Sequence, residues 1–323
     1  MKKFNRIFTN YTRRSYSSSS PKVGILDVPF EKGQDKSGVE FGPKSIRDAG
    51  LLQKLIECCG ITDLKDYGEV KYLNNCRNAE VLNMKHYDHV ISCSKELSEQ
   101  VEKVIRDGRI CLTLGGDHSI GIGTIHGHMR AKSEDLAVLW VDAHADLNTN
   151  RSSHSGNIHG ADWLQCKLSL RNLAYIGLRS IDPYEHVIMH NLGISHFDMF
   201  DIQRYGIDTV VSAAIDQIDP DHNKPIHVSF DIDSLDPLEA PSTGTPVRGG
   251  LLLREGIHIM TAIYKTGRLG ALDLVEVNPK IGTQGDVERT VTAALHIILA
   301  AFGENRRLIK LESNNLIPPT NNK

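Results

Sequence analysis

The chain has 323 residues, 40% hydrophobic and 24% charged, with 37 Lys and Arg against 40 Asp and Glu for a formal net charge of −3. This is ordinary globular composition, which excludes collagen-like and intrinsically disordered classes, and the slight acidity excludes a generally basic nucleic-acid binder. No apolar run reaches the ~18–20 residues needed to cross a bilayer, and the six cysteines form no CxxC pair, so they read as free thiols in a reducing compartment.

Charge is distributed unevenly along the chain. Residues 1–20 carry Lys2, Lys3, Arg6, Arg13 and Arg14 and no acid, which leaves −8 for the remainder. The same segment is Ser-rich, and Phe4, Ile7, Phe8 and Tyr11 recur at helical spacing. Basic, Ser-rich, acid-free and amphipathic is the composition of a mitochondrial transit peptide, assigned here to residues 1–21. The alternative is a basic tail on a cytoplasmic protein. Downstream there is no internal repeat and no linker, so residues 22–311 are expected to form one domain, followed by a polar, Asn- and Pro-rich tail over 312–323.

Within that domain, apolar strand-length runs fall at 22–26, 110–114, 136–141, 172–176, 226–230 and 270–277. Each is aliphatic on both faces, as strands buried between helix layers must be. Helical patterns alternate with them at 45–58, 90–107, 120–131, 255–266 and 286–301. Alternation of this kind predicts a three-layer α/β/α fold around a mostly parallel sheet, whose ligands gather at the carboxyl ends of the strands.

Acid and imidazole groups concentrate at those ends. The run ending at 141 leads into Asp142, His144 and Asp146 at spacing two, and the run ending at 230 leads into Asp231 and Asp233. Side chains alternate along a strand, so each set is expected to project to one side. The run ending at 114 leads through Gly115 and Gly116 to Asp117 and His118, the glycines permitting a tight turn, and the last run leads into Glu276. Asp117 and Asp236 are out of phase with the others and read as helix caps.

Four carboxylates sharing a confined cleft repel one another unless cations neutralise them. Two divalent ions cancel the charge of Asp142, Asp146, Asp231 and Asp233, and His118 and His144 supply one imidazole to each. Oxygen-dominated donors with open positions suit Mn²⁺ better than Zn²⁺. Two such ions lower the pKa of a shared water toward ~7, so the expected chemistry is hydrolysis. Among the other histidines, His126 and His128 fall on a predicted helix and read as surface residues.

Six motifs in order, GGDHS (115–119), DAHAD (142–146), SGNIHG (155–160), FDIDSLDP (230–237), STGTP (242–246) and EVNP (276–279), resemble the signatures of the ureohydrolase family, and within it the arginases. PFEKGQDKSGVEFGP (29–43) is similar as well, so the resemblance spans about residues 23–301. It implies an arginase/deacetylase-type fold holding two Mn²⁺ per subunit and hydrolysing L-arginine to L-ornithine and urea. It implies His118, Asp142, His144, Asp146, Asp231 and Asp233 as ligands, Asp146, His159 and Glu276 as catalytic groups, and Glu276 as partner of the guanidinium. A carboxylate matches that planar cation bidentately. Asn148, Ser153, Ser155 and Asn157 are implied near the α-carboxylate of the substrate, Asp182 at its α-ammonium, and Thr245 as a further substrate contact. The stretch 150–154 (NRSSH) departs from the family's Pro- and Thr-rich sequence, as does Ser180 from a common acid. The resemblance, which includes the Arg254–Glu255 pair, also implies a homotrimer and an enzyme of arginine metabolism and the urea cycle, located by its N-terminal segment in the mitochondrial matrix. Agmatinase and a non-catalytic ureohydrolase-like subunit are the alternatives, and neither nucleic acid nor membrane insertion is expected.

Overall fold

The structure, a computed structural model, describes residues 20–73, 85–133, 135–147 and 168–304. Among these residues eight strands form one sheet: β1 (Lys22–Val28), β2 (Asp63–Glu69), β3 (Ile110–Gly115), β4 (Ala137–Val141), β5 (Leu173–Leu178), β6 (Ser195–Asp198), β7 (Ile226–Asp231) and β8 (Leu269–Val275). They lie in the order β2-β1-β3-β8-β7-β4-β5-β6, and every neighbouring pair is parallel. The six apolar runs become the six inner strands. The two edges, β2 (DLKDYGE) and β6 (SHFD), are polar and partly exposed. An edge strand carries no obligation to bury both faces, so no apolar run announces it.

Helices cover both faces of the sheet. On one side lie α1 (Gly42–Asp48), α2 (Leu51–Cys59), α7 (Ile207–Ile218), α8 (Leu253–Thr266) and α9 (Gln284–Ala301). Their buried residues join Ile25, Leu112, Leu139, Ile176, Val228 and Leu272 in the largest core cluster. On the other side α3 (Tyr87–Arg106), α4 (Gly121–Ala131) and α5 (Pro183–Leu192) pack against Leu26, Cys111, Val138, Trp140 and Tyr175. Alternate residues of each inner strand thus feed opposite cores. A short helix, α6 (Met199–Tyr205), follows β6. The single helix expected at 45–58 is two, because Gly50 takes a left-handed conformation (φ 87°) between α1 and α2.

The surface reading of His126 and His128 is corrected by α4. Gly123 and Gly127, one turn apart, bring α4 so close to α3 that a Cβ at Gly123 would stand 2.6 Å from the Ser94 carbonyl oxygen, and one at Gly127 would collide with that of Ser98. With the backbones in contact, His126 is buried and its Nδ1 lies 2.8 Å from Ser98 Oγ. His128, buried on the sheet side, has its Nδ1 3.2 Å from His227 Nδ1. Both belong to the interior.

Candidate metal centre

The strands β3, β8, β7 and β4 are consecutive in the sheet, and their carboxyl ends deliver His118, Glu276, Asp231 with Asp233, and Asp142 with His144 and Asp146. Strand alternation is only part of the reason these groups converge. β4 ends at Val141, before any of its three groups, and Asp233 lies in a 3-10 turn (Ile232–Ser234) after β7. Short local hydrogen bonds do the aiming. Asp142 Oδ1 accepts from the His144 N–H (2.7 Å), and Asp231 Oδ1 accepts from the Asp233 N–H (2.7 Å). Trp140 donates its indole N–H to Asp142 Oδ2 (2.8 Å) and stacks on the His118 ring with centroids 4.1 Å apart. The backbone of Asp146 then turns through φ 49°.

The two histidines face the carboxylates with the same nitrogen. His118 Nδ1 lies 3.0 Å from Asp142 Oδ2, 3.1 Å from Asp231 Oδ2 and 3.3 Å from Asp146 Oδ2. His144 Nδ1 lies 3.1 Å from Asp233 Oδ2 and 3.5 Å from Asp142 Oδ1. Donor atoms of His118, Asp142 and Asp146 lie within 4.8 Å of one another, as do those of Asp142, His144 and Asp233. Asp142 belongs to both trios and offers a different oxygen to each histidine. The imidazole and carboxylate chemistry of the set fits hard or borderline divalent cations.

Burial and charge pull the titrations in opposite directions. Burial would lift the carboxyl of Asp142, but hydrogen bonds and attraction from His118 and His144 hold it well below the usual range. Burial and the neighbouring carboxylates push Asp231 and Asp233 up. Burial alone would depress both histidines, yet Asp142 and Asp233 raise His144 to about 12, and Asp142 and Asp231 push His118 well above the usual imidazole range. A site that binds protons this tightly is one built around positive charge.

Glu276 closes the cavity, a cleft of about 270 Å³ that also takes in Gln34, Asp182, Glu185 and Thr245. Its N–H donates to the Gly116 carbonyl (2.8 Å), and its φ is 65°. Oε1 accepts from the His118 N–H (2.9 Å) and Oε2 from Gln34 Nε2 (2.6 Å). Burial and the Asp117 charge push its carboxyl well above the usual range, which favours a cationic partner. Asp117 caps the turn His118–Ile120 by accepting from the Ser119 N–H, and also accepts from the Gly33 N–H (2.7 Å), fixing the loop that carries Gln34. The glycines before it serve close approach: neither has a positive φ, and a Cβ on Gly116 would overlap the Phe30 carbonyl oxygen.

Asp182 caps α5 in a capping box with Glu185, and Glu185 Oε1 accepts from the Leu147 N–H (2.9 Å), tying that helix to the end of the DAHAD segment. Thr245 donates to Asp233 Oδ2 (3.0 Å), and Asp236 accepts backbone N–H groups of Leu238, Gly249 and Gly250 as a loop clamp, where a helix cap was expected. Asn148, Ser153, Ser155, Asn157 and His159 lie outside the described residues. Gln34 and Glu185 are cavity residues that motif spacing did not single out; Gln34 sits in the 29–43 stretch flagged by resemblance.

The Arginase family matches residues 21–303. The chain belongs to that family. It is 42% identical to arginase-1 of Homo sapiens over 325 residues, covering 94% of this chain and 99% of that one. Mitochondrial arginase-2 of Rattus norvegicus is 43% identical over 307 residues, 88% of this chain and 85% of its own length. Among solved structures, arginase from Bacillus caldovelox superposes with a TM-score of 0.81 at 33% identity, covering 88% of this chain and 99% of that chain.

Proposed function

We propose that this arginase-family hydrolase converts L-arginine and water to L-ornithine and urea with two Mn²⁺ ions. His118, Asp142, Asp146 and Asp231 would hold one ion, and Asp142, His144 and Asp233 the other. Two divalent cations in such a set supply an activated water nucleophile. The observation that carries this reading is the pair of metal-capable trios sharing Asp142 and opening onto Glu276 in one cleft.

The chain's own residues do the rest. Glu276, with both oxygens oriented by the His118 N–H and Gln34, receives the guanidinium and holds its carbon over the trios. Asp146 would take a proton from the nucleophile and deliver it to the leaving amine, and His159 would exchange protons with solvent. Asp182, which lines the same cleft, would receive the α-ammonium. Asn148, Ser153 and Ser155 would receive the α-carboxylate, with Asn157 nearby, and Thr245 would be a further substrate contact.

Urea release from L-arginine and from agmatine after Mn²⁺ loading tests the assignment. Turnover of arginine supports it. Turnover of agmatine alone assigns an agmatinase, and no urea from either assigns a non-catalytic subunit. The basic, acid-free N-terminal segment supports delivery to the mitochondrial matrix, and an intact Met1 on protein taken from its own cells would overturn that. The Arg254–Glu255 pair supports a homotrimer, which sedimentation velocity would refute by showing a monomer.

A further inference from the structure

Beneath the metal centre, on the sheet face covered by α4, lies a chain of buried polar groups that the reaction does not use. Ser229 of β7 and Asp273 of β8 are direct neighbours in the parallel register, and His227 lies two residues before Ser229 on the same face. Three donors converge on one oxygen of Asp273: Thr124 Oγ1 at 2.5 Å, His227 Nε2 at 2.8 Å and Ser229 Oγ at 3.4 Å. Ser229 Oγ in turn lies 2.9 Å from His118 Nε2, the ring nitrogen turned away from the carboxylates. Thr124, His227, Ser229 and Asp273 are all fully buried.

Hydrogen-bond bookkeeping gives this chain a direction. A carboxylate only accepts, so the single hydroxyl proton of Ser229 goes to Asp273. The lone pairs of Ser229 are then left to accept, and His118 must carry its remaining proton on Nε2. A neutral imidazole protonated at Nε2 has its lone pair on Nδ1, the nitrogen that faces Asp142, Asp146 and Asp231. The far end is consistent with that polarity. Burial, with the His227 ring beside it, depresses His128 well below the usual imidazole range, so it donates from Nδ1 to His227 Nδ1 as a neutral ring. His227 then keeps its N–H on Nε2, toward Asp273.

We propose that Asp273, acting through Ser229, is a positioning residue that fixes the tautomer and orientation of His118 as a metal ligand. This rests on the two-ion reading of the centre. Outer-shell partners of this kind are worth about 10–100-fold in metal affinity. With Asp273 replaced by leucine, which cannot accept a hydrogen bond, the Ser229 hydroxyl is free to donate to Nε2, which moves the histidine proton to Nδ1 and sets it against the ion.

The test is Mn²⁺ titration of the metal-free full chain by competition with a fluorescent chelator, with metal content measured in parallel, for wild type, Ser229→Ala, Ser229→Thr and Asp273→Leu. Ser229→Ala and Asp273→Leu are expected to weaken one ion by about 10–100-fold and leave the other at its wild-type affinity. Ser229→Thr, which keeps the hydroxyl, is expected to restore both. Selective loss of one ion is something a general loosening of the fold would not produce, so equal weakening of both ions overturns the proposal, as do two ions at wild-type affinity in Ser229→Ala. Should Asp273→Leu fail to fold, the Ala and Thr variants at 229 decide alone. Wild-type protein that takes up no divalent cation overturns the two-ion reading and this proposal with it.

Discussion

Asp142 is the side chain on which both trios depend, so Asp142→Asn separates a two-ion centre from any arrangement in which the ions are independent. Asn keeps the shape but loses the charge, and it turns an amide toward one of the two histidines that Asp142 now faces with separate oxygens. A ligand held at about 100 times its dissociation constant stabilises a fold by about 2.7 kcal/mol. Two ions therefore add about 5 kcal/mol, and at about 2–4 °C per kcal/mol for a domain of this class the metal-bound protein should melt about 10–20 °C above the metal-free one. The variant is expected to lose both ions and the whole of that increment. Asp233→Asn, a member of one trio only, should keep one ion and about half of it. The quantity to compare is the melting difference with and without Mn²⁺ within each variant. Asp142 also stabilises the metal-free protein by pairing with His118 and His144, and this contribution cancels in the difference. Two tightly bound ions in Asp142→Asn, or a metal increment as large as in wild type, would refute the shared-ligand reasoning.

The metal-free protein should lose stability as pH rises above about 6.5. The folded-state pKa of His144 is raised to about 12, so its contribution is complete below the unfolded value and fades at up to about 1.4 kcal/mol per pH unit above it. Adding Mn²⁺ should reverse the trend, because the ions displace those protons and bind more tightly as pH rises; calorimetric unfolding between pH 6 and 9 reads both signs, and a metal-free stability that climbs with pH would contradict them. Glu276→Gln should lower kcat/KM for arginine by about 3 kcal/mol, roughly 10²-fold, while metal content stays at two ions; steady-state kinetics with metal analysis would expose an error if the ions were lost instead. Arg179 is a further target. Its guanidinium donates to the carbonyls of Gly177, Asp233, Ser234, Leu235 and Val247, pinning the loop that carries Asp233. A lysine cannot span that set, so Arg179→Lys should cost about 2–4 kcal/mol in denaturant unfolding, and a cost below 1 kcal/mol would show that the clamp is dispensable.

What the sequence made legible follows burial. Strands such as β4 (AVLWV) and β7 (IHVSFD) are buried along their whole length and left apolar runs that located them, and their ends located the acids. β2 and β6 satisfy one neighbour each and face solvent on the other side, and their sequences keep no trace of that duty. His126 and His128 were misread because a polar side chain on a helix usually points out. The signal against it was the Gly123–Gly127 spacing, which lets two helix backbones touch and turns the whole face inward. Asp142, His144 and Asp146 come together through turns after β4 rather than through its pleat, which the phase of the strand does not foretell. Ser229 and Asp273 sit mid-strand, forty-four positions apart, and become partners only through the β7–β8 register, which no local pattern encodes.

Backbone strain identifies which parts of the centre are set before any ligand arrives. Among the described residues five non-glycines have positive φ, and three of them, His86, Ser133 and His222, stand outside the cleft. The other two are Asp146 and Glu276, both lining it. Such a conformation costs of order 1–3 kcal/mol per residue and persists only where the surroundings over-determine it. For Glu276 the surroundings are visible: its N–H is taken by Gly116, its carboxylate by the His118 N–H and Gln34, and Gly116 is itself wedged against Phe30. For Asp146 the next residue, Leu147, is tied through its N–H to Glu185 at the start of α5. The two strained residues are the proposed proton carrier and the proposed guanidinium partner, so the groups that must meet the substrate at fixed distances are held by the fold itself. Positioning therefore does not wait for the proposed ions, whose own task would narrow to neutralising the acids and activating water.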